Sequence, residues 1–177
     1  MKKTIVYYYS RKGNNRFLSE KIAVELNCDI EEIRPRLNAF PLILMGASAG
    51  IWKLKDPPGN YDRVILCGPV FVGKLITPLK HFLTKYGKCI SRLVFVTCCG
   101  SGFEQKNEKY GHGHVFNRVR DILGDKCVHC EAFPISLVIP EEIKKNPDSV
   151  IKTRLNEENF RGEFKSRFEQ LITALDS

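Results

Sequence analysis

Tyr9-Ser10-Arg11-Lys12-Gly13-Asn14-Asn15 separates two segments of different periodicity. Before it, Lys3–Tyr9 is rich in β-branched and aromatic residues and predicts a strand. After it, Arg16–Leu26 places Phe17, Leu18, Ile22, Val24 and Leu26 on an apolar side and predicts a helix. A strand that runs through a short, polar, Gly-containing loop into a helix aims several backbone N–H groups at one spot, and that spot suits a phosphate. Arg11, Lys12 and Arg16 lie at or near the start of the helix. Cations there oppose the helix macrodipole, at about 0.3–1 kcal/mol each. A bound anion would account for them; a solvated basic turn is the alternative.

The chain around this loop has 177 residues, 43% hydrophobic and 27% charged, which suits one globular domain spanning residues 1–177 with a single core. No apolar run approaches the roughly 20 residues of a membrane span, and the N-terminal segment reads as a strand rather than a signal peptide. The expectation is a cytoplasmic protein with no membrane contact. The formal net charge of +8 suggests an acidic partner or an anionic small molecule. The basic residues are interspersed with acids and form no arm, so nucleic acid is not expected. An odd count of seven Cys without a secretory signal fits reduced thiols better than a disulfide framework.

Further along, Cys28–Ile33 alternates and predicts an edge strand. Pro41–Trp52 predicts a weak helix or irregular segment on the sheet, with Trp52 packed under the connection rather than placed as a ligand contact. Asp56–Asn60 is a turn. Arg63–Gly68 is a continuous apolar run, as in a central parallel strand. Thr77-Pro78 opens a helix over Leu79–Tyr86 that Gly87 closes. Ser91–Thr97 predicts the next strand, Val115–Leu123 a helix closed by Gly124, and Val128–Ile139 a fifth strand kinked at Pro134. Residues 140–153 read as a charged connection. Phe160, Phe164, Phe168, Leu171, Ile172 and Leu175 then mark one face of a last helix, with Asn156 as its N-cap and Glu157 and Glu158 in its first turn.

Strands alternating with helices predict an α/β fold, a five-stranded parallel sheet of order 2-1-3-4-5 with helices on both faces. In that order, the Gly-containing loops after strands 1, 3 and 4, namely Ser10–Asn15, Gly68–Lys74 and Cys98–Phe103, converge on one crevice. Over most of its length the chain resembles the flavodoxins. Ser10-x-x-Gly13-Asn14-Asn15 is similar to their phosphate loop, with Lys12 and Asn15 standing where hydroxyl residues are usual. Gly68-Pro69-Val70-Phe71-Val72-Gly73 is similar to their second loop, and Thr97-Cys98-Cys99-Gly100 takes the place of their third. The resemblance implies non-covalent FMN, its phosphate held by Ser10, Arg11, Lys12, Gly13, Asn14 and Asn15. It implies a flavin ring between Pro69, Val70, Phe71, Val72 and Gly73 on one side and Thr97, Cys98, Cys99, Gly100 and Phe103 on the other. Phe71 would stack on the ring or serve as ordinary core, and Gly73 would meet the flavin N5 or be an ordinary turn residue.

The implied function is electron transfer to a redox partner protein, acidic if the charge is a guide, or to a small-molecule acceptor. An FMN-dependent NAD(P)H:quinone or small-molecule reductase and a non-redox binding module of the same fold are the rivals. Lys74 bears on that choice: beside the ring it would favour the anionic reduced flavin, whereas in solvent, on the first turn of its helix, it would leave the carrier reading in place. Cys98 and Cys99 read as small lining residues. His112 and His114 fall in a Gly-rich loop on the crevice side. Cys127-x-x-Cys130 looks like half a zinc site, but on a regular strand the two side chains would face opposite ways; no metal is expected.

Overall fold

The computed structural model describes residues 2–37, 41, 43, 45–47, 49–144 and 146–176. Five strands form a parallel sheet: β1 (Thr4–Tyr8), β2 (Asp29–Glu32), β3 (Arg63–Cys67), β6 (Leu93–Cys99) and β7 (Cys127–Pro134). Two short strands, β4 (Val70–Phe71) and β5 (Lys74–Leu75), make a separate antiparallel hairpin. The sheet order is β2-β1-β3-β6-β7, which is 2-1-3-4-5 when the sheet strands alone are counted. The helices are α1 (Asn14–Glu25), α2 (Thr77–Tyr86), α3 (His112–Leu123), two short ones, α4 (Glu141–Lys144) and α5 (Pro147–Lys152), and α6 (Gly162–Asp176).

The sheet is covered on both faces because its inner strands, polar only at Thr4, Arg63 and Thr97, send apolar side chains to both. Along β1, Ile5 and Tyr7 enter one core with Leu66, Phe82, Phe95 and Val115, under α2 and α3. Val6 and Tyr8 enter the other with Leu18, Ile22, Val96, Phe133, Phe164 and Phe168, under α1 and α6. β2 stays at the edge and is mostly exposed. The crossover after it is tied down by polar contacts. Glu31 accepts from the backbone N–H groups of Lys55 (2.7 Å) and Asp56 (3.1 Å), and the Tyr7 hydroxyl donates to the Asp56 carbonyl.

Several sequence expectations are corrected. Trp52 is not packed under the connection: it is 60% exposed, with the Arg36 guanidinium 5.4 Å from its ring centre. The rest of the Pro41–Trp52 expectation lies partly outside the described residues, which omit 42, 44 and 48. The fifth strand ends at Pro134 and passes into a 3-10 turn, Ile135–Val138. The charged connection contains α4 and α5. α6 starts at Gly162 rather than near Glu157. Asn156 and Asn159 hydrogen-bond each other's backbone N–H groups in a turn ahead of it, and Gly162 enters with φ +59°. α3 begins at His112, so both histidines lie on a helix rather than in a loop.

Candidate functional site

The loop after β1 turns into α1 at Gly13, whose φ of +94° lies in the left-handed region that favours glycine. Gly13 is the N-cap. It offers no side-chain cap, and the first turn of α1 holds no acid. The helix end therefore keeps the electropositive character of its free N–H groups. The Ser10 hydroxyl accepts from the Gly13 N–H at 3.2 Å and holds the turn. The far wall comes from the chain after α5. Lys12 Nζ donates to the Ile151 carbonyl at 3.1 Å, and Arg154 donates to Ile151 (2.8 Å) and Thr153 (2.9 Å). Asn14 fixes that segment, accepting from the Leu155 N–H at 3.0 Å and donating to Thr153. Arg11, Lys12 and Arg154 are thus brought together. The Lys12 ammonium is pushed below its ordinary pKa, first by desolvation and then by the charges of Arg154 and Arg11.

Asn15 has a different task from the phosphate contact expected of its side chain. It is 4% exposed. Its Nδ2 donates to the Cys98 carbonyl at 3.1 Å, and its Oδ1 accepts from the Cys98 N–H at 2.8 Å. In a parallel sheet the N–H and C=O of one residue point to the same neighbour. Gly68 still donates to Val96, but β3 is spent two residues further on. The Asn15 amide supplies the peptide-like pair that β3 no longer offers, so the side chain is consumed in joining α1 to β6.

Between these elements lies a cavity of about 410 Å³. Of the residues expected from the sequence, Ser10, Arg11, Lys12, Asn14, Asn15, Pro69, Val70, Phe71, Cys98, Cys99 and Gly100 line it. Gly13, Val72, Gly73, Thr97 and Phe103 are not among its lining residues. Thr97 shares the sheet face of Phe95 and Cys99, under α2 and α3, and is fully buried, its hydroxyl without a hydrogen-bond partner among the described residues. Phe103 lies under the Arg167 guanidinium, 4.3 Å from its ring centre. Ile76, Ile135, Val150, Ile151 and Arg154 complete the wall. Sequence reading passed over the last three because residues 140–153 carry no strong periodicity and Arg154 lies in no motif.

The hairpin decides where Phe71 goes. Val70 pairs with Leu75 and Phe71 with Lys74, so Val72-Gly73 is a two-residue turn. Both turn residues have positive φ, +53° and +66°, the requirement of a type I′ turn. A β-branched residue is rare there. At Gly73 an added Cβ would lie 2.5 Å from the Lys109 carbonyl oxygen, so the loop of α3 approaches closely. Phe71 and Ile76 line both the first cavity and a second one, of about 550 Å³, whose other walls include Val72, Lys74, Lys80 and His81. Lys74 therefore belongs to a strand, not to the first turn of a helix, and faces this second cavity.

Behind Cys99 lies a polar group that sequence reading did not assemble. His112 is 1% exposed. Its Nδ1 lies 2.9 Å from Ser101 Oγ and 3.8 Å from Cys99 Sγ. Burial pushes the Cys99 thiol up to about 11 and the Cys98 thiol well above its ordinary value, and it lowers the pKa of His112. At neutral pH these are a neutral thiol and a neutral imidazole, not an activated thiolate pair. His114, two residues on, is exposed. No helix among the described residues is long and apolar enough to cross a membrane.

No protein-family model and no curated protein sequence matches the chain. Solved structures do. A Bacteroides eggerthii protein superposes with a TM-score of 0.67 at 15% identity, over 100% of this chain and 99% of that one. A Lactobacillus acidophilus flavoprotein in complex with FMN gives 0.59 at 19% identity, over 75% of this chain and 93% of that one. A Fusobacterium nucleatum flavodoxin bound to flavin mononucleotide gives 0.51 at 13% identity, over 99% and 98%. The chain has the flavodoxin-like fold.

Proposed function

We propose that the 410 Å³ cavity binds FMN and that the protein transfers electrons through it. The observation that carries this reading is the polarity of the cavity. One end gathers Arg11, Lys12 and Arg154 around an uncapped helix N-terminus, and the other is walled by Phe71, Val70, Ile76, Ile135 and Val150. A ligand with an anionic tail and a flat apolar body matches both ends, and FMN is such a ligand. Two solved proteins that share the fold are described with FMN. The groups present fit it. Backbone N–H groups of Asn14 and Asn15 and the cations would hold the phosphate, with Gly13 shaping the turn, while Phe71 and the Cys98–Gly100 backbone would flank the ring. Asn15 would contribute only its backbone. When bound, FMN supplies one- and two-electron redox chemistry; the protein supplies binding, orientation and electrostatics.

The test is a titration of the purified protein with FMN and with riboflavin, followed by flavin fluorescence. FMN should bind at least about tenfold more tightly, the equivalent of 1.4 kcal/mol from the phosphate. Equal affinities would remove the phosphate assignment, and no binding of either flavin would favour a non-redox module of the same fold. A second reading, an FMN-dependent NAD(P)H:quinone reductase, is favoured by the second cavity. It lies across Phe71 from the first and carries Lys74, Lys80 and His81, which suit an anionic substrate. Rapid NAD(P)H oxidation by the FMN-loaded protein on adding a quinone would make this reading the better one. The charge of +8 supports an acidic redox partner, and seven cysteines held as free thiols support a cytoplasmic setting.

A further inference from the structure

Cys127 and Cys130 stand at the start of β7, the edge strand on the far side of the sheet from β2. A regular strand would send residues three apart to opposite faces. β7 is not regular here. Leu93 pairs with Cys127, but the next residue, Val94, pairs with His129, so Val128 is the extra residue of a β-bulge. The bulge shifts the alternation by one position. Cys127 and Cys130 both pack toward the core under α3, and their sulfurs are 3.5 Å apart. Both are partly exposed, and both are free thiols. Among the described residues no third His, Cys, Asp or Glu joins them in a metal-binding group. His129, between them in sequence, turns instead to Glu131, with Nε2 3.3 Å from Oε2.

We propose that Cys127 and Cys130 form a reversible dithiol/disulfide pair that exchanges with small-molecule disulfides. The asymmetry of the pair assigns the roles. The Cys127 thiol is held below its ordinary pKa, first by its contact with Cys130 and then by Arg120 and His129. The Cys130 thiol is raised well above its ordinary value, first by that contact and then by burial. Cys127 is the attacking sulfur. Its thiolate attacks one sulfur of a disulfide R–S–S–R, forming a mixed disulfide and expelling RS⁻, which takes up a proton. Cys130 then loses its proton to solvent and attacks the Cys127 sulfur, closing the Cys127–Cys130 bond and expelling the second RS⁻. The protein loses two protons and two electrons, and R–S–S–R takes them up to become two thiols. The pairing of Phe95 with Cys130 and of Cys99 with Pro134 puts the couple four residues from the cavity end of β6, about 13 Å at strand rise. The pair is independent of what the cavity binds.

Full-length protein is incubated with oxidised glutathione and quenched by alkylation, and its peptides are mapped by mass spectrometry without reduction. The expected product is a Cys127–Cys130 disulfide in the peptide carrying both residues, with two fewer alkylated thiols, fully reversed by dithiothreitol. Cys130→Ser should stop the reaction at one glutathione on Cys127. Cys127→Ser should slow modification of Cys130 at least about tenfold, because the thiolate is the nucleophile. The exposed Cys89 serves as the internal control for unselective modification. The proposal is overturned if both thiols stay alkylatable while Cys89 is modified. It is also overturned if wild-type protein accumulates glutathione on both cysteines rather than closing. The wild-type readout does not depend on either variant folding, and it is unaffected by whether FMN binds.

Discussion

Replacing Asn15 by Ala tests the junction between α1 and β6. The side chain is 4% exposed and makes two hydrogen bonds to one residue, to the Cys98 carbonyl at 3.1 Å and from the Cys98 N–H at 2.8 Å. Neither Cys98 group has another strand to turn to on that side. Leaving a buried donor or acceptor without a partner costs about 1–3 kcal/mol each. Cys98 also borders the cavity, so water can reach one side of the lesion, and the expected loss for Asn15→Ala is about 2–4 kcal/mol. The assay is equilibrium urea unfolding, read as a fall in midpoint with the slope unchanged. Asn15→Asp sharpens it. A carboxylate keeps the acceptor but sets a negative oxygen against the Cys98 carbonyl. Relative to wild type, that variant should be weak at pH 7 and recover as the pH falls far enough for the carboxyl to donate. A loss below about 0.5 kcal/mol for Asn15→Ala, within the range of an ordinary surface change, would refute the reasoning.

Lys12→Ala and Arg154→Ala should each weaken FMN several-fold in the fluorescence titration and leave riboflavin unchanged, with the difference shrinking at high salt because exposed charges are screened. Val72→Asn should raise the unfolding midpoint by about 1 kcal/mol of stability, since Asn tolerates the positive φ that Val72 holds at +53°. Gly73→Ala should lower it, because the added methyl meets the Lys109 carbonyl at 2.5 Å. His112 has a depressed pKa through burial, so the unfolded state binds its proton first. Stability should fall as the pH drops through and below the ordinary histidine range, about 6.5, and His112→Gln should flatten that slope in urea melts taken from pH 7.5 to 5.

The alternation of apolar strands and helices was enough to read a parallel sheet covered on both faces, because strands buried on both faces must be largely apolar and the helices between them must carry one apolar stripe; the order 2-1-3-4-5 was the one that fitted this rhythm. The loop at Ser10–Gly13 was equally legible, since a strand, a glycine and a helix leave the backbone few other paths. What the sequence could not disclose were matters of contact and parity. The chemistry of an amide reads the same whether it faces a ligand or a strand end, and only the point at which β3 stops, two residues short of Cys98, assigns Asn15 to the strand. Arg154 joins Arg11 and Lys12 through a segment with no periodicity to announce it. One extra residue at Val128 turns two cysteines that strand alternation would part into neighbours 3.5 Å apart. Local pattern is set by short-range sterics and burial, which the residues carry with them. Which side chains meet depends on where strands end and where a register slips by one, and those are settled only when the whole sheet is assembled.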